Sequence, residues 1–423
     1  MFKRIDTTAG AIGQRRADIS WLRIFAVLLL FPFHTARVFN LGEEFYVKND
    51  QLSLALSYFV TYLGAWHMPL LFLLAGAASY FALARRSGGR YAGERVKRLL
   101  VPFLFGVLVL IPPQSYLGLL SHSGSAPGFF EWLPSFFQLN GADMNGYFLG
   151  GHTWGHLWFI AHLFVYALVL LPVMLFLRRG VGQHVIELLA RAASMPGVIL
   201  LFALAMVPAG FAPEIAGGNP VFFMALFLLG FVIVADDRFA ATIDAHRFVA
   251  LLCGPLAYGI VAYFEVTTWP AVPGWAVVPL EIYLGAFVPW CFMVALLGYG
   301  RRFLSSSNRI MTYADKASYP VYLLHQTVIV AVAFVVVQWE VGVAVKFGAI
   351  LLISLPATVL VFELVVRRVG VTRFLFGMTS QRRAAFAAEV PVSGAKPVPV
   401  VQSLAAPSRD AAATRVVSSG MPA

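Results

Sequence analysis

The sequence predicts an all-α, polytopic transmembrane helical bundle of about ten spans with both termini cytoplasmic, and three observations predict it. Of 423 residues, 60% are hydrophobic and 12% are charged, half the charge of an average soluble domain. The mean hydropathy is +0.79. The apolar residues lie in long unbroken runs, not in the ten-residue alternation of a β-barrel. Too few ionic groups remain to cover a water-soluble globule, and disorder requires the opposite composition. The net charge of +11 sits between the apolar runs, where it reads as membrane topology rather than nucleic-acid binding. Cys253 and Cys291 are the two cysteines, each inside an expected span, which excludes a disulfide framework or a cysteine zinc site.

A spanning helix needs about 20 mostly apolar residues. Candidates run over 21–39, 58–83, 99–119, 154–177, 196–212, 220–235, 248–265, 277–299, 318–338 and 343–366. The fifth and sixth are short and are separated by a Gly/Pro-rich stretch. With a cytoplasmic N-terminus, the inner segments hold Lys3, Arg4, Arg15, Arg16, Arg85, Arg86, Arg90, Arg95, Lys97, Arg98, Arg178, Arg179, Arg191, Arg238, Arg247, Arg301, Arg302, Arg309, Lys316 and the basic residues from Arg367 onward. The outer ones hold Lys48 and Lys346, with Arg37 at the outer end of the first span. The expected organisation is a cytoplasmic segment 1–17, a membrane domain 18–375, and a disordered cytoplasmic tail 376–423 rich in Ala, Pro, Val and Ser. The first span is too long for a signal peptide and lacks a cleavage site. Phe129, Phe130, Trp132, Phe136 and Phe137, in the longest outer connection, predict a segment lying on the membrane surface.

Ionisable groups inside spans are costly and mark function. The first span carries Arg23, His34 and Arg37. Arg23 and His34 are eleven residues apart, about 1100° of helix, or roughly 20° from three full turns, and so share a face at about 16 Å axial separation. Arg37 follows His34 by three. Pro32 is expected to kink the helix beside the histidine. Arg23 and Arg37 also suit snorkelling to the headgroups, and a membrane histidine also suits an interhelical hydrogen bond. In the second span, His67 precedes Pro69 and suits either the His34 cavity or capping of the backbone that Pro69 breaks. Arg95 and Arg98 enter the third span from a connection with six basic residues in fourteen. They read either as topological anchors or as a pocket for a phosphorylated ligand, which guanidinium groups bind bidentately. The fourth span begins with His152, Trp154, His156, Trp158 and His162. Without a matching carboxylate cluster, no metal site is predicted there. The ninth span holds His325 and Gln326, and Glu265, Glu281 and Glu363 form no dyad.

Taken together, these residues resemble the acyltransferase 3 family of integral membrane acyltransferases. Asp18, Trp21, Leu22 and Arg23 match its opening, and His34 its histidine eleven residues after the arginine. Arg95 and Arg98 match its RxxR element, and Ser318, Tyr319, Tyr322, Leu323 and His325 its S-Y-x-x-Y-L-x-H element. The P-F-H of the first span, the R-V-x-R before the third and His156-Leu157-Trp158-Phe159 resemble its glucans biosynthesis protein C branch. The resemblance covers about residues 15–375; Gln326 departs from it, standing where many relatives carry Trp.

The resemblance implies transfer of an acyl group, acetyl or succinyl, from cytoplasmic acyl-CoA to a hydroxyl of an extracytoplasmic glycan, in the bacterial inner membrane. A hydroxyl is a poor nucleophile and needs a base, and a histidine in a low-dielectric site is neutral and ready to serve. On this reading His34 takes the acceptor's proton or carries the acyl group. Arg23 guides the pantetheine arm or thioester carbonyl, and Arg95 and Arg98 hold the CoA phosphates. Arg37, His67, His156, Trp158, Tyr322 and His325 are candidates for the acceptor site or its support. The expected partners are acyl-CoA, a periplasmic or cell-surface glycan and membrane lipid, with no nucleic acid and no metal. The alternative is a transporter or flippase of a lipid-linked or small polar substrate, which shares the composition but usually shows an internal repeat that this chain lacks.

Overall fold

The computed structural model describes residues 16–42, 44–138, 150–215, 218–266 and 274–378. Most of the expected N-terminal segment and nearly all of the expected tail lie outside these residues. Within them the fold is all-α, and the one β feature is an isolated bridge between Ile215 and Gly218.

Helix α1, Ala17–Arg37, runs through Pro32 without a break. Asp18 in its first turn receives two hydrogen bonds from Arg16, at 2.9 and 2.7 Å. The second span is split into α2, Leu54–Gly64, and α3, His67–Ala84. Pro69 causes the split, because it lacks the N–H that would bond to the carbonyl of Ala65 and its ring crowds that carbonyl. Helix α4 spans Gly88–Ser123 and widens into π turns at Val96–Leu100 and Gly106–Leu110. Each π turn is followed within two residues by proline, Pro102 or Pro112–Pro113, whose missing donors loosen the ladder. The surface segment expected from its aromatics is helix α5, Phe129–Phe136, which buries Trp132 and Phe136 and leaves Phe130 84% exposed.

Helices α6, Gly155–Val169, and α7, Leu171–Leu177, form a pair bent by 52°. The bend precedes Pro172, again a missing donor. Amphipathic α8, Gly180–Ala193, is followed by α9, Val198–Phe211, and α10, Pro220–Ile233. The long pair α11, Asp237–Val266, and α12, Gly274–Phe303, packs side by side. Then come α13, Arg309–Val336, α14, Val343–Val366, and the short α15, Gly370–Leu375.

Among the described residues seven helices are long and apolar enough to cross a membrane, or eight with the bent α6–α7 pair as one. The expected fifth and sixth spans are the shorter α9 and α10. In α9 the ten residues Phe202–Phe211 are a 3-10 helix, whose rise of about 2 Å per residue stretches the element to about 26 Å. The 14 residues of α10 reach about 21 Å, less than the roughly 30 Å hydrocarbon core.

Side-chain pairs set the helix directions. Arg23 meets Asp315 near the starts of α1 and α13, and His34 meets His325 about three turns further along each, so the two run parallel. His156 on His325 and Phe159 on Tyr322 set α6 antiparallel to α13. Phe72 on Phe223 and Tyr80 on Phe231 make α3 and α10 parallel. These last two touch backbone to backbone: a Cβ on Gly76 would strike the carbonyl of Phe227, and one on Gly230 that of Leu73. Small residues permit such contact where apolar faces alone specify no partner.

Candidate active site

Three helices bring three imidazoles together. His34 of α1 lies 5.1 Å from His325 of α13 between ring centroids, and His325 lies 5.0 Å from His156 of α6. Phe31 packs on His325 at 5.9 Å, and Phe45 stacks on His34 at 6.0 Å with an 18° interplanar angle. His156 reaches the cluster from a tight turn. Gly155 has φ +49°, and a Cβ there would lie 2.8 Å from the Tyr46 hydroxyl, so another residue at this position would displace the turn. The Tyr322 hydroxyl donates to the His156 carbonyl and pins it.

Backbone carbonyls orient two of the rings. His325 Nδ1 bonds to the Tyr322 carbonyl, and His156 Nε2 bonds to the Leu323 carbonyl at 3.1 Å. A carbonyl only accepts, so these nitrogens carry the hydrogens, and in a neutral ring His325 Nε2 and His156 Nδ1 carry lone pairs. Both are buried without a partner, and so is His34 Nδ1. His325 and His156 are 0% and 6% exposed, whereas His34 is half-buried. The cluster therefore has an accessible edge at His34.

A polar stripe leads to it. Asp315, Tyr319, Tyr322 and Gln326 recur on α13 at steps of four, three and four, which is one helix face. At one end the Arg23 guanidinium, 38% exposed, forms an ion pair with the Asp315 carboxylate, 4% exposed. Tyr319 stacks on Tyr322 at 6.4 Å and lies in the field of Arg95 and Arg98. The Tyr319 hydroxyl and Arg95 Nε are buried without hydrogen-bond partners. The Arg95 guanidinium covers the buried Tyr91 ring at 4.5 Å, while Arg98 is exposed in the π turn. Arg86 and Arg90 on the same connection face Glu94 at 3.1 and 3.8 Å.

The other candidates separate by contact. Arg37 donates to the Glu44 carbonyl at 2.8 Å and lies 5.7 Å over Phe45, the ring that stacks on His34. His67, at the α2–α3 break, bonds to the Ala26 carbonyl at 2.6 Å and fastens α3 to α1. Trp158 packs on Phe72, Phe223 and His162. Asp315 and Phe45 escaped the sequence reading, although the four-three-four spacing of polar residues in an apolar span would have exposed Asp315. Phe45 left no local signal. Among the described residues, no group of three or more His, Cys, Asp or Glu is placed to hold a metal ion.

The acyltransferase domain profile of the acyltransferase 3 family matches residues 16–363. Glucans biosynthesis protein C of Escherichia coli strain SMS-3-5 is 23% identical over 331 residues, covering 74% of this chain and 82% of the relative. Its counterpart in strain K12 / DH10B is 22% identical over the same length and coverage. No solved structure matches the chain. The matched region contains α1, with Arg23 and His34, and all of α13, and the chain belongs to the acyltransferase 3 family: it is a membrane acyltransferase.

Proposed function

We propose that the chain moves an acyl group, acetyl or succinyl, from cytoplasmic acyl-CoA to a hydroxyl of an extracytoplasmic glycan, as a multi-pass protein of the bacterial inner membrane. The names of its glucans biosynthesis relatives favour a glucan as acceptor. The observation that carries the reading is the imidazole cluster with its unpartnered nitrogens at the end of a polar stripe that begins at the Arg23–Asp315 pair and passes Arg95 and Arg98 at Tyr319.

Arg95 and Arg98 hold the donor's phosphates at the cytoplasmic mouth. The pantetheine arm follows the α13 stripe from Tyr319 toward His34, with Arg23 on the same face of α1 about 16 Å from His34. His34, the imidazole with an accessible edge, takes the proton from the acceptor hydroxyl. The oxygen attacks the thioester carbonyl, the carbon–sulfur bond breaks, and the departing thiolate recovers the proton from the imidazolium. His325 and His156 surround His34 with oriented rings and exclude water.

Helix direction supports the topology. Four of the seven long spans separate α1 from α13: the joined α2–α3, α4, α11 and α12. An even number of intervening crossings would set α1 and α13 antiparallel, yet they run parallel. The bent α6–α7 pair supplies the missing crossing, and α9 and α10 cross together or not at all. The total is then eight or ten, an even number, which keeps both termini on one side.

The deciding experiment gives purified protein in sealed proteoliposomes labelled acyl-CoA and a glucan mixture. Label on the glucan is the expected result. Label that never leaves acyl-CoA, or free glucan transported without modification, would remove the reading in favour of a carrier.

A further inference from the structure

Gln114 and Ser115 of α4 are both 0% exposed, one turn beyond the π segment that ends at Leu110. Gln114 Nε2 donates to the Leu110 carbonyl at 3.0 Å and to Thr327 Oγ1 at 2.7 Å. Thr327 Oγ1 in turn donates to the same Leu110 carbonyl at 3.1 Å. A carbonyl cannot donate, so the Gln114 atom facing Leu110 must be the nitrogen. The threonine's single hydrogen is already used, so it too requires that nitrogen. The amide therefore has one orientation, and its Oε1 is left buried without a partner. Ser115 Oγ, on the following residue of α4, and Gln326 Oε1, on the residue before Thr327 in α13, are also buried without partners. Native structures pair nearly all such groups with protein, water or ligand.

The position of this group is as informative as its chemistry. Thr327 lies two residues past His325, about 3 Å further from the Arg23–Asp315 end of α13, on the face that meets α4 rather than the one that meets α1. The Gln114 latch therefore sits beyond the imidazoles, on the side away from the basic mouth. Two amide oxygens can only accept hydrogen bonds, and a hydroxyl-rich ligand supplies donors, whereas an anionic one does not.

We propose that Gln114, locked by Thr327 and joined by Ser115 and Gln326, is a sugar-hydroxyl subsite that positions the acceptor over the imidazole cluster. The proposal rests on the acyltransferase reading of the same site and names its acceptor side. Gln114 and Thr327 act here in binding, not in proton transfer.

The test uses the full chain in nanodiscs with a glucose hexasaccharide as the probe. Calorimetry without donor is expected to show binding that Gln114→Met weakens about tenfold, the loss of one hydrogen bond. Thr327→Val, which frees the amide to turn, weakens it to a smaller extent. In turnover, Gln114→Met raises the acceptor KM about tenfold and leaves the acyl-CoA KM unchanged, a split that a merely misfolded variant would not show. Unchanged hexasaccharide binding in Gln114→Met, parallel loss of both KM values, or no binding by the parent chain overturns the proposal. A parent chain that binds the sugar through Gln114 but transfers no acyl group keeps the subsite and removes the acyltransferase reading.

Discussion

His34 shares its cluster with two rings whose hydrogens are directed by backbone carbonyls, and it is the most exposed residue of the three. That makes it the imidazole a substrate can touch. His34→Ala is expected to lower acyl transfer by at least about 100-fold, in the range that general-base catalysis supplies. The variant should still insert as the parent does, because the apolar length of α1 that carries insertion is unchanged. Normal turnover in that variant ends the base assignment. Arg23 and Asp315 are the other residue-scale test. Breaking a wholly buried pair costs about 3–5 kcal/mol, and partial exposure of Arg23 should bring the cost below that range. A double-mutant cycle with Arg23→Gln and Asp315→Asn, read by thermal unfolding in detergent, should show coupling between the two. Additive losses would mean that they do not act as a pair.

At the scale of elements, proline sets the irregular geometry that places the site. The π turn before Pro102 presents Arg98 to solvent and leaves Arg95 over Tyr91. Arg95→Ala with Arg98→Ala is expected to raise the KM for acyl-CoA by at least tenfold with a smaller effect on the acceptor KM. Equal donor affinity in the double variant would return both residues to membrane anchoring. The contact of α3 with α10 makes a separate prediction. A methyl group on Gly230 would strike the Leu73 carbonyl, and backbone cannot give way as a flexible side chain can. Gly230→Ala should therefore destabilise by about 1–3 kcal/mol, the usual cost of overpacking, seen as a lower unfolding temperature.

At the scale of the whole molecule, the parallel run of α1 and α13 ties site geometry to topology. The imidazole cluster and the Arg23–Asp315 pair hold the same two helices at two levels about 16 Å apart. The donor mouth and the acceptor side can then open to opposite faces of one membrane. Reporter fusions at the N-terminus and after residue 378 should both report the cytoplasm, and a tag in 139–149 the opposite side. Opposite locations for the two ends would require an odd number of crossings and break the proposed path.

The class, most of the span positions, the charge bias of the connections and the common face of Arg23 and His34 are legible along the chain. All of these follow from local composition and helical period. It takes the packed helices to reveal that His34 meets His325 and His156, that Arg23 meets Asp315 292 residues away, and that Gln114 is locked by Thr327 213 residues away. The physical reason is that a helix immersed in lipid is apolar on nearly every side, so hydropathy marks where it crosses but says nothing of its neighbours. Neighbours are chosen by close glycine contacts and by scattered polar groups that must find partners, and those pairings exist only once the helices are side by side.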